Sequence, residues 1–201
     1  MRLVDVYARL LSMEGAVFQT GDASAWLKIS QAHASQLLSR LAESGHLIHL
    51  KRGLWVFKHR IEPMALPQCL TNPFPSYISL QSALYYHGLI TQIPAITYAV
   101  SIDRTRKYET PLGTISIHHI HPSFFFGYET KDKGDIKMAT PEKALIDFLY
   151  LSPAKSGLFH SLPELELPET FKIKEARHII SFIRSVKRRK MVLDRFERLI
   201  S

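Results

Sequence analysis

The chain has 201 residues, 46% of them hydrophobic, and a formal net charge of +8. That length suits one ordinary domain plus a small one, and the apolar content excludes disorder as the default state. One cysteine, Cys69, excludes an internal disulfide framework or a thiolate metal site of its own, and no stretch has a signal-peptide core or the length of a membrane span, so a cytoplasmic protein with no membrane partner is expected.

The charge is unevenly placed. Residues 1–58 carry +3, residues 59–171 carry −2 and residues 172–201 carry +7. A basic excess at both ends is an electrostatic footprint for a polyanion, with nucleic acid favoured over membrane because a polar reading surface accompanies it.

Leu3, Val6, Tyr7, Leu10 and Leu11 recur at helical spacing and predict a first amphipathic helix to about Met13. Ala16-Val17-Phe18 predicts an edge strand, and Asp22 is placed to cap a brief helix through Leu27. Ser30 caps a longer helix whose Ala34, Leu37, Leu38 and Leu41 form the buried stripe, and Gly45 stops it. The opposite face carries Gln31, His33, Ser35, Gln36, Ser39 and Arg40. Leu47 to Leu50, a Lys51-Arg52-Gly53 tip and Leu54 to Phe57 then predict a β-hairpin.

Two helices joined at Ile29-Ser30 and followed by a hairpin spell a helix-turn-helix with a wing, over residues 1–58. In such a unit the second helix enters the major groove. There Gln31, His33, Gln36 and Arg40 would read bases, the glutamines matching adenine edges and Arg40 a guanine or a phosphate, while the Ser30 helix terminus meets a phosphate oxygen and Ser35 lies beside them. Lys51 and Arg52 would hold the DNA backbone. The alternative is a module that uses these surfaces to hold a protein partner, with DNA binding incidental.

Residues 59–76 contain Pro63, Pro67, Pro73 and Pro75 without a sustained period, predicting a stiff extended linker. From residue 77 a mixed α+β domain is expected. A helix runs from Ser79 to Gly88, strands cover 96–100, 114–118 and Phe124-Phe125-Phe126, and a helix begins at Thr140-Pro141-Glu142 with Ala144, Leu145, Phe148 and Leu149 inward. Tyr77, Tyr85 and Tyr86 read as packing residues, Glu142 as a helix-dipole partner, and Lys143 with Asp147 as a pair across one turn.

Three segments in the right order resemble the AbiEi-family antitoxins. They are Lys51-Arg52-Gly53-Leu54-Trp55-Val56, the run from Pro75-Ser76-Tyr77-Ile78-Ser79 to His87-Gly88-Leu89, and Ile136-Lys137-Met138-Ala139-Thr140-Pro141-Glu142-Lys143-Ala144-Leu145-Ile146-Asp147. The resemblance spans most of residues 1–150 and not the last fifty. It implies a bacterial transcriptional repressor and antitoxin of a toxin-antitoxin system. The winged helix-turn-helix would bind inverted repeats in its own promoter, as a homodimer or by cooperative binding. The rest would oppose a nucleotidyltransferase-like toxin without a stable complex. It implies no catalytic residue and no cofactor.

Enzymatic readings lack support in the residues. There is no Gly-Ser dipeptide and no Asp-x-Asp for a nucleotidyltransferase. His118, His119 and His121 have no acidic or thiolate ligand close in sequence, so no metal site is expected. Glu129-x-Lys131 lies in a charged stretch, Tyr128 to Asp135, that reads as a solvated turn, and Cys69 has no neighbour to activate it. From about residue 172, Ala176, Ile179, Ile180, Ile183 and Val186, then Val192, Phe196 and Leu199, predict basic C-terminal helices. Lys187-Arg188-Arg189-Lys190 between those sets would add phosphate contacts that widen a DNA footprint, or dock an acidic partner.

Overall fold

The computed structural model describes residues 2–131, 136–152 and 164–200. Its first sixty residues form α1 (Leu3–Leu11), β1 (Val17–Gln19), α2 (Thr20–Leu27), α3 (Gln31–Glu43), β2 (Leu47–Lys51) and β3 (Leu54–Phe57). The strands make an antiparallel sheet in the order β1-β3-β2. Val6 and Leu10 of α1, Ala23 and Leu27 of α2, and Leu37, Leu38 and Leu41 of α3 close over Phe18, Trp55 and Phe57. The helical period of the apolar residues thus finds its partner in one face of a sheet.

Two local devices fix ends of these helices. Asp22 is not the cap of α2: the chain passes straight from β1 into the helix, which starts two residues earlier, and the Asp22 carboxylate accepts the N–H of Gln19 at 2.7 Å. At the C-terminal end of α1, Arg60 donates to the carbonyl of Leu11 (2.7 Å), the last helical residue, and to those of Met13 (3.1 Å) and Gly15 (3.4 Å) in the turn that follows.

The expected extended linker is helical at its centre. Pro63–Ala65 form a 3-10 turn and α4 covers Leu66–Thr71, with Ala65, Leu66 and Leu70 buried. Pro63 and Pro67 sit in first turns, where no backbone N–H is needed, so these prolines start helical turns rather than hold the chain extended.

Beyond it come β4 (Ser76–Ile78), α5 (Leu80–Tyr86), β5 (Thr97–Ser101), β6 (Arg106–Thr110), β7 (Gly113–His119), β8 (Tyr128–Lys131), β9 (Ile136–Ala139), α6 (Pro141–Leu151), α7 (Ile173–Ser181) and α8 (Val186–Ile200). The strands form a six-stranded mixed sheet in the order β6-β7-β5-β4-β9-β8, parallel at β5–β7 and β4–β9. The chain is therefore a mixed α+β protein. Phe124 to Phe126 do not form a strand. Pro122, which has no N–H for a ladder, opens a 3-10 turn over Pro122–Phe124 instead. Tyr128–Lys131 form an edge strand paired with β9 rather than a turn, and residues 132–135 of that stretch lie outside the described residues.

Alternation along the strands sets the layers. Ala99, Ile115 and Ile117 on one face of the large sheet pack against Ile48, Leu50, Leu54 and Val56 of the hairpin and against Leu66 and Leu70 of α4. Tyr98 and Val100 face the other way, toward α5 and α6, and α7 and α8 cover α6 through Ala176, Ile179, Ile180, Val192 and Phe196. The hairpin is consequently buried on both sides, while α3 and α8 lie on opposite sides of the large sheet. Among the described residues no helix is long and apolar enough to cross a membrane.

Candidate nucleic-acid interface

The surface of α3 follows from its period. Burying Ala34, Leu37, Leu38 and Leu41 on one stripe turns Ala32, Ser35, Gln36, Ser39, Arg40 and Glu43 to the opposite side, where they line one shallow open hollow. Of the four α3 residues expected to read bases the fold brings together Gln36 and Arg40, with Ser35, expected at the DNA beside them, in the same hollow. Gln31 and His33 are exposed but flank the hollow, one on each side, because they lie roughly a quarter of a turn or slightly more from its centre. Ser39 belongs to the hollow as fully as Gln36, and its i+3 spacing from Gln36 was the available signal.

The N-terminus of α3 is built as expected. The Ser30 hydroxyl accepts the N–H of His33 at 3.3 Å, leaving other first-turn N–H groups directed outward. Lys28 precedes it in the left-handed conformation, φ 57, and is exposed. Nothing in the local pattern marks Lys28, since a lysine in that conformation is uncommon, yet the fold leaves it exposed two residues before the Ser30 cap.

The hairpin tip is close to the same end. The N–H of Thr20 donates to the Gly53 carbonyl at 2.9 Å, and the backbone of the next residue, Gly21, lies against the Gln31 side-chain amide. Gly53, with φ 75, makes the turn that brings β3 back. Of the two expected tip cations, Arg52 is exposed, whereas Lys51 is half-buried and its ammonium donates to the Leu70 carbonyl at 2.7 Å. Lys51 thus ties the hairpin to α4, which corrects its expected role as an outward-facing anchor; the cause is the packing of α4 against this end of the hairpin.

The other residues singled out in the sequence occupy different settings. Lys143 and Asp147 pair inside α6 with both side chains fully buried. Asp147 also accepts from Tyr77 (2.9 Å) and Ser79 (2.8 Å), and the Lys143 ammonium donates to the Tyr77 hydroxyl at 2.8 Å while lying 4.2 Å from the Phe124 ring centre. Burial pushes the Lys143 pKa down and the Asp147 pKa up, against the pull of their pairing, and burial together with the neighbouring Asp147 carboxylate pushes the Tyr77 pKa up. With no solvent access, this network holds β4 to α6. Glu142 does more than face the helix dipole: it is buried and accepts the N–H of Lys172 at 2.9 Å, joining the starts of α6 and α7.

Tyr77 packs as expected, but Tyr85 and Tyr86 are 41% and 51% exposed because α5 ends at them and turns at Gly88. The three neighbouring imidazoles do not converge. His118 is buried 2.9 Å from the Ser116 hydroxyl, His119 lies 3.0 Å from the Asp103 carbonyl, and His121 lies 2.8 Å from the Ser123 hydroxyl. Among the described residues no group of three His, Cys, Asp or Glu could hold a metal ion. Glu129 pairs with Lys131 at 2.8 Å on the edge strand. Val186, expected in the apolar set, is 69% exposed, since it opens α8 after a turn. Lys187 to Lys190 occupy the first turns of α8, on the side of the large sheet away from α3.

No protein-family model and no curated protein matches the chain.

Proposed function

We propose that the chain is a sequence-specific DNA-binding transcriptional repressor, and that its first 58 residues act as a winged helix-turn-helix. The observation that carries the reading is the α3 surface: a capped helix whose outward face bears amide, hydroxyl and guanidinium groups around one hollow, beside an exposed Arg52 at a hairpin tip. A helix of that diameter fits the major groove, where Gln36, Ser35, Ser39 and Arg40 reach base edges while Ser30, Lys28 and Arg52 meet phosphates. Glu43, at the end of the hollow, disfavours a phosphate there and so limits the contact to the first three turns of α3.

The resemblance to AbiEi-family antitoxins supplies the finer proposal. The chain autoregulates its operon at inverted repeats and opposes a nucleotidyltransferase-like toxin without a stable complex, as a cytoplasmic, non-catalytic protein. Two measurements separate these parts. A reporter fused to the chain's own promoter falls several-fold on expression of the chain and recovers with Gln36→Ala. Growth arrest by a co-expressed nucleotidyltransferase encoded beside it is relieved by the chain. Unrepressed reporter output would remove the repressor reading, and unrelieved arrest the antitoxin one.

A further inference from the structure

A second cationic site lies across the molecule from α3. A cavity of about 340 Å³ opens between the end of α6, the turn after α7 and the start of α8, lined by Arg184, Arg188, Ser185, His121, Tyr150 and Phe182 among others. Its size is at the small end of ligand pockets. The Arg188 guanidinium is held 4.7 Å above the Tyr150 ring centre, so its fork is already oriented. Among the described residues neither Arg184 nor Arg188 is within ion-pair distance of a carboxylate.

The polar groups here are donors. The Nδ1 of His121 accepts the N–H of Ser123 at 3.2 Å, which leaves the proton on Nε2. The Ser185 oxygen accepts the N–H of Arg188 at 3.3 Å, which leaves its hydroxyl proton to give. The 15-residue α8 adds the positive end of its dipole; its first turn has no acidic residue, and its first five residues include Lys187, Arg188, Arg189 and Lys190. Cations gathered at the positive end of a helix oppose both each other and the dipole, and an anion offsets both. One wall is aromatic: Phe182 is 48% exposed, and its ring is braced edge-on by Phe126 (5.1 Å) and His178 (4.9 Å). A braced, half-exposed ring is a platform for a base.

We propose that this cavity binds a nucleotide, with Arg184, Arg188, His121 and Ser185 on its phosphate and Phe182 under its base. The site is separate from the α3 surface, since the large sheet with α5 and α6 stands between them, and it does not depend on the reading of α3. Isothermal titration of the full chain with ADP, pyrophosphate and adenosine tests it. ADP is expected to bind saturably and pyrophosphate more weakly, with adenosine alone failing to bind. Arg184→Gln with Arg188→Gln weakens ADP at least tenfold, Arg188→Lys by less, and Phe182→Ala weakens ADP but not pyrophosphate. Gln36→Ala leaves ADP binding unchanged. Thermal unfolding of each variant verifies that it is folded. Displacement of ADP by a 5′-phosphorylated tetranucleotide would assign the phosphate to a strand end, and its absence to a free nucleotide, both within the proposal. No saturable ADP binding, or equal binding by the folded double variant, would overturn it.

Discussion

Lys143 and Asp147 form a fully buried ion pair at the centre of a network with Tyr77 and Ser79. Their i,i+4 spacing on one helix is legible in the sequence, but their burial is not, because Tyr77 and Ser79, which complete the network, belong to a strand and turn far earlier in the chain. Removing one partner strands the other charge without solvent. Lys143→Met is therefore expected to lower stability by about 3–5 kcal/mol, seen as a fall in the urea midpoint, with Asp147→Asn similar. Loss of less than about 1 kcal/mol would mean that water reaches the pair. His118 gives a pH signature. Burial lowers its pKa to about 4 from an ordinary value near 6.5, so the folded state takes up its proton later than the unfolded chain. Its neutral form contributes stability fully above about pH 6.5. That contribution is lost as pH falls toward 4, by at most about 1.4 kcal/mol per pH unit. In His118→Gln the stability profile across that window is expected to be flatter; an unchanged slope would assign the loss to other groups.

At the scale of elements, the helices with a clean 3.6-residue period and the hairpin with its Gly53 turn are legible because local propensity and burial agree. The elements that are not legible are those where tertiary packing decides. α4 hides behind Pro63 and Pro67, whose usual reading as an extended connector ignores that a first helical turn needs no proline N–H. β6, Arg106–Thr110, carries three charged residues and little apolar content, since it is an edge strand half in solvent. On α3 the six expected polar residues are all exposed, but only the arc given by helix geometry separates Ser35, Gln36 and Arg40 from the flanking Gln31 and His33. The role of Lys51 depends on α4 and so was beyond a local reading. Because Leu66 and Leu70 fill the seam between hairpin and large sheet, Leu70→Ala is expected to cost about 2–5 kcal/mol in denaturant unfolding. A cost below about 1 kcal/mol would show that α4 does not carry this seam.

For the whole molecule, the apolar seam makes hairpin and large sheet parts of one stack. Unfolding followed by Trp55 fluorescence in a Trp26→Phe background and by far-UV circular dichroism is expected to coincide, and two separated transitions would mean that the first sixty residues melt alone. The same stack divides the basic charge into two surfaces, which the linear sequence, with +3 at one end and +7 at the other, does not reveal. Replacing Lys187 to Lys190 by glutamine should therefore leave the salt dependence of promoter binding within one counter-ion of the parent, whereas Arg52→Ala reduces the slope by about one. A drop of several counter-ions on neutralising α8 would place that helix on the same DNA.

Whether α3 reads sequence is tested most directly by the ratio of affinities for the chain's own promoter and a scrambled duplex at one fixed salt concentration, for the parent and for Gln36→Ala. At least tenfold preference for the promoter is expected, reduced severalfold by Gln36→Ala while scrambled-duplex affinity is unchanged. Equal affinity of the parent for both duplexes, or a ratio that Gln36→Ala does not alter, would contradict it.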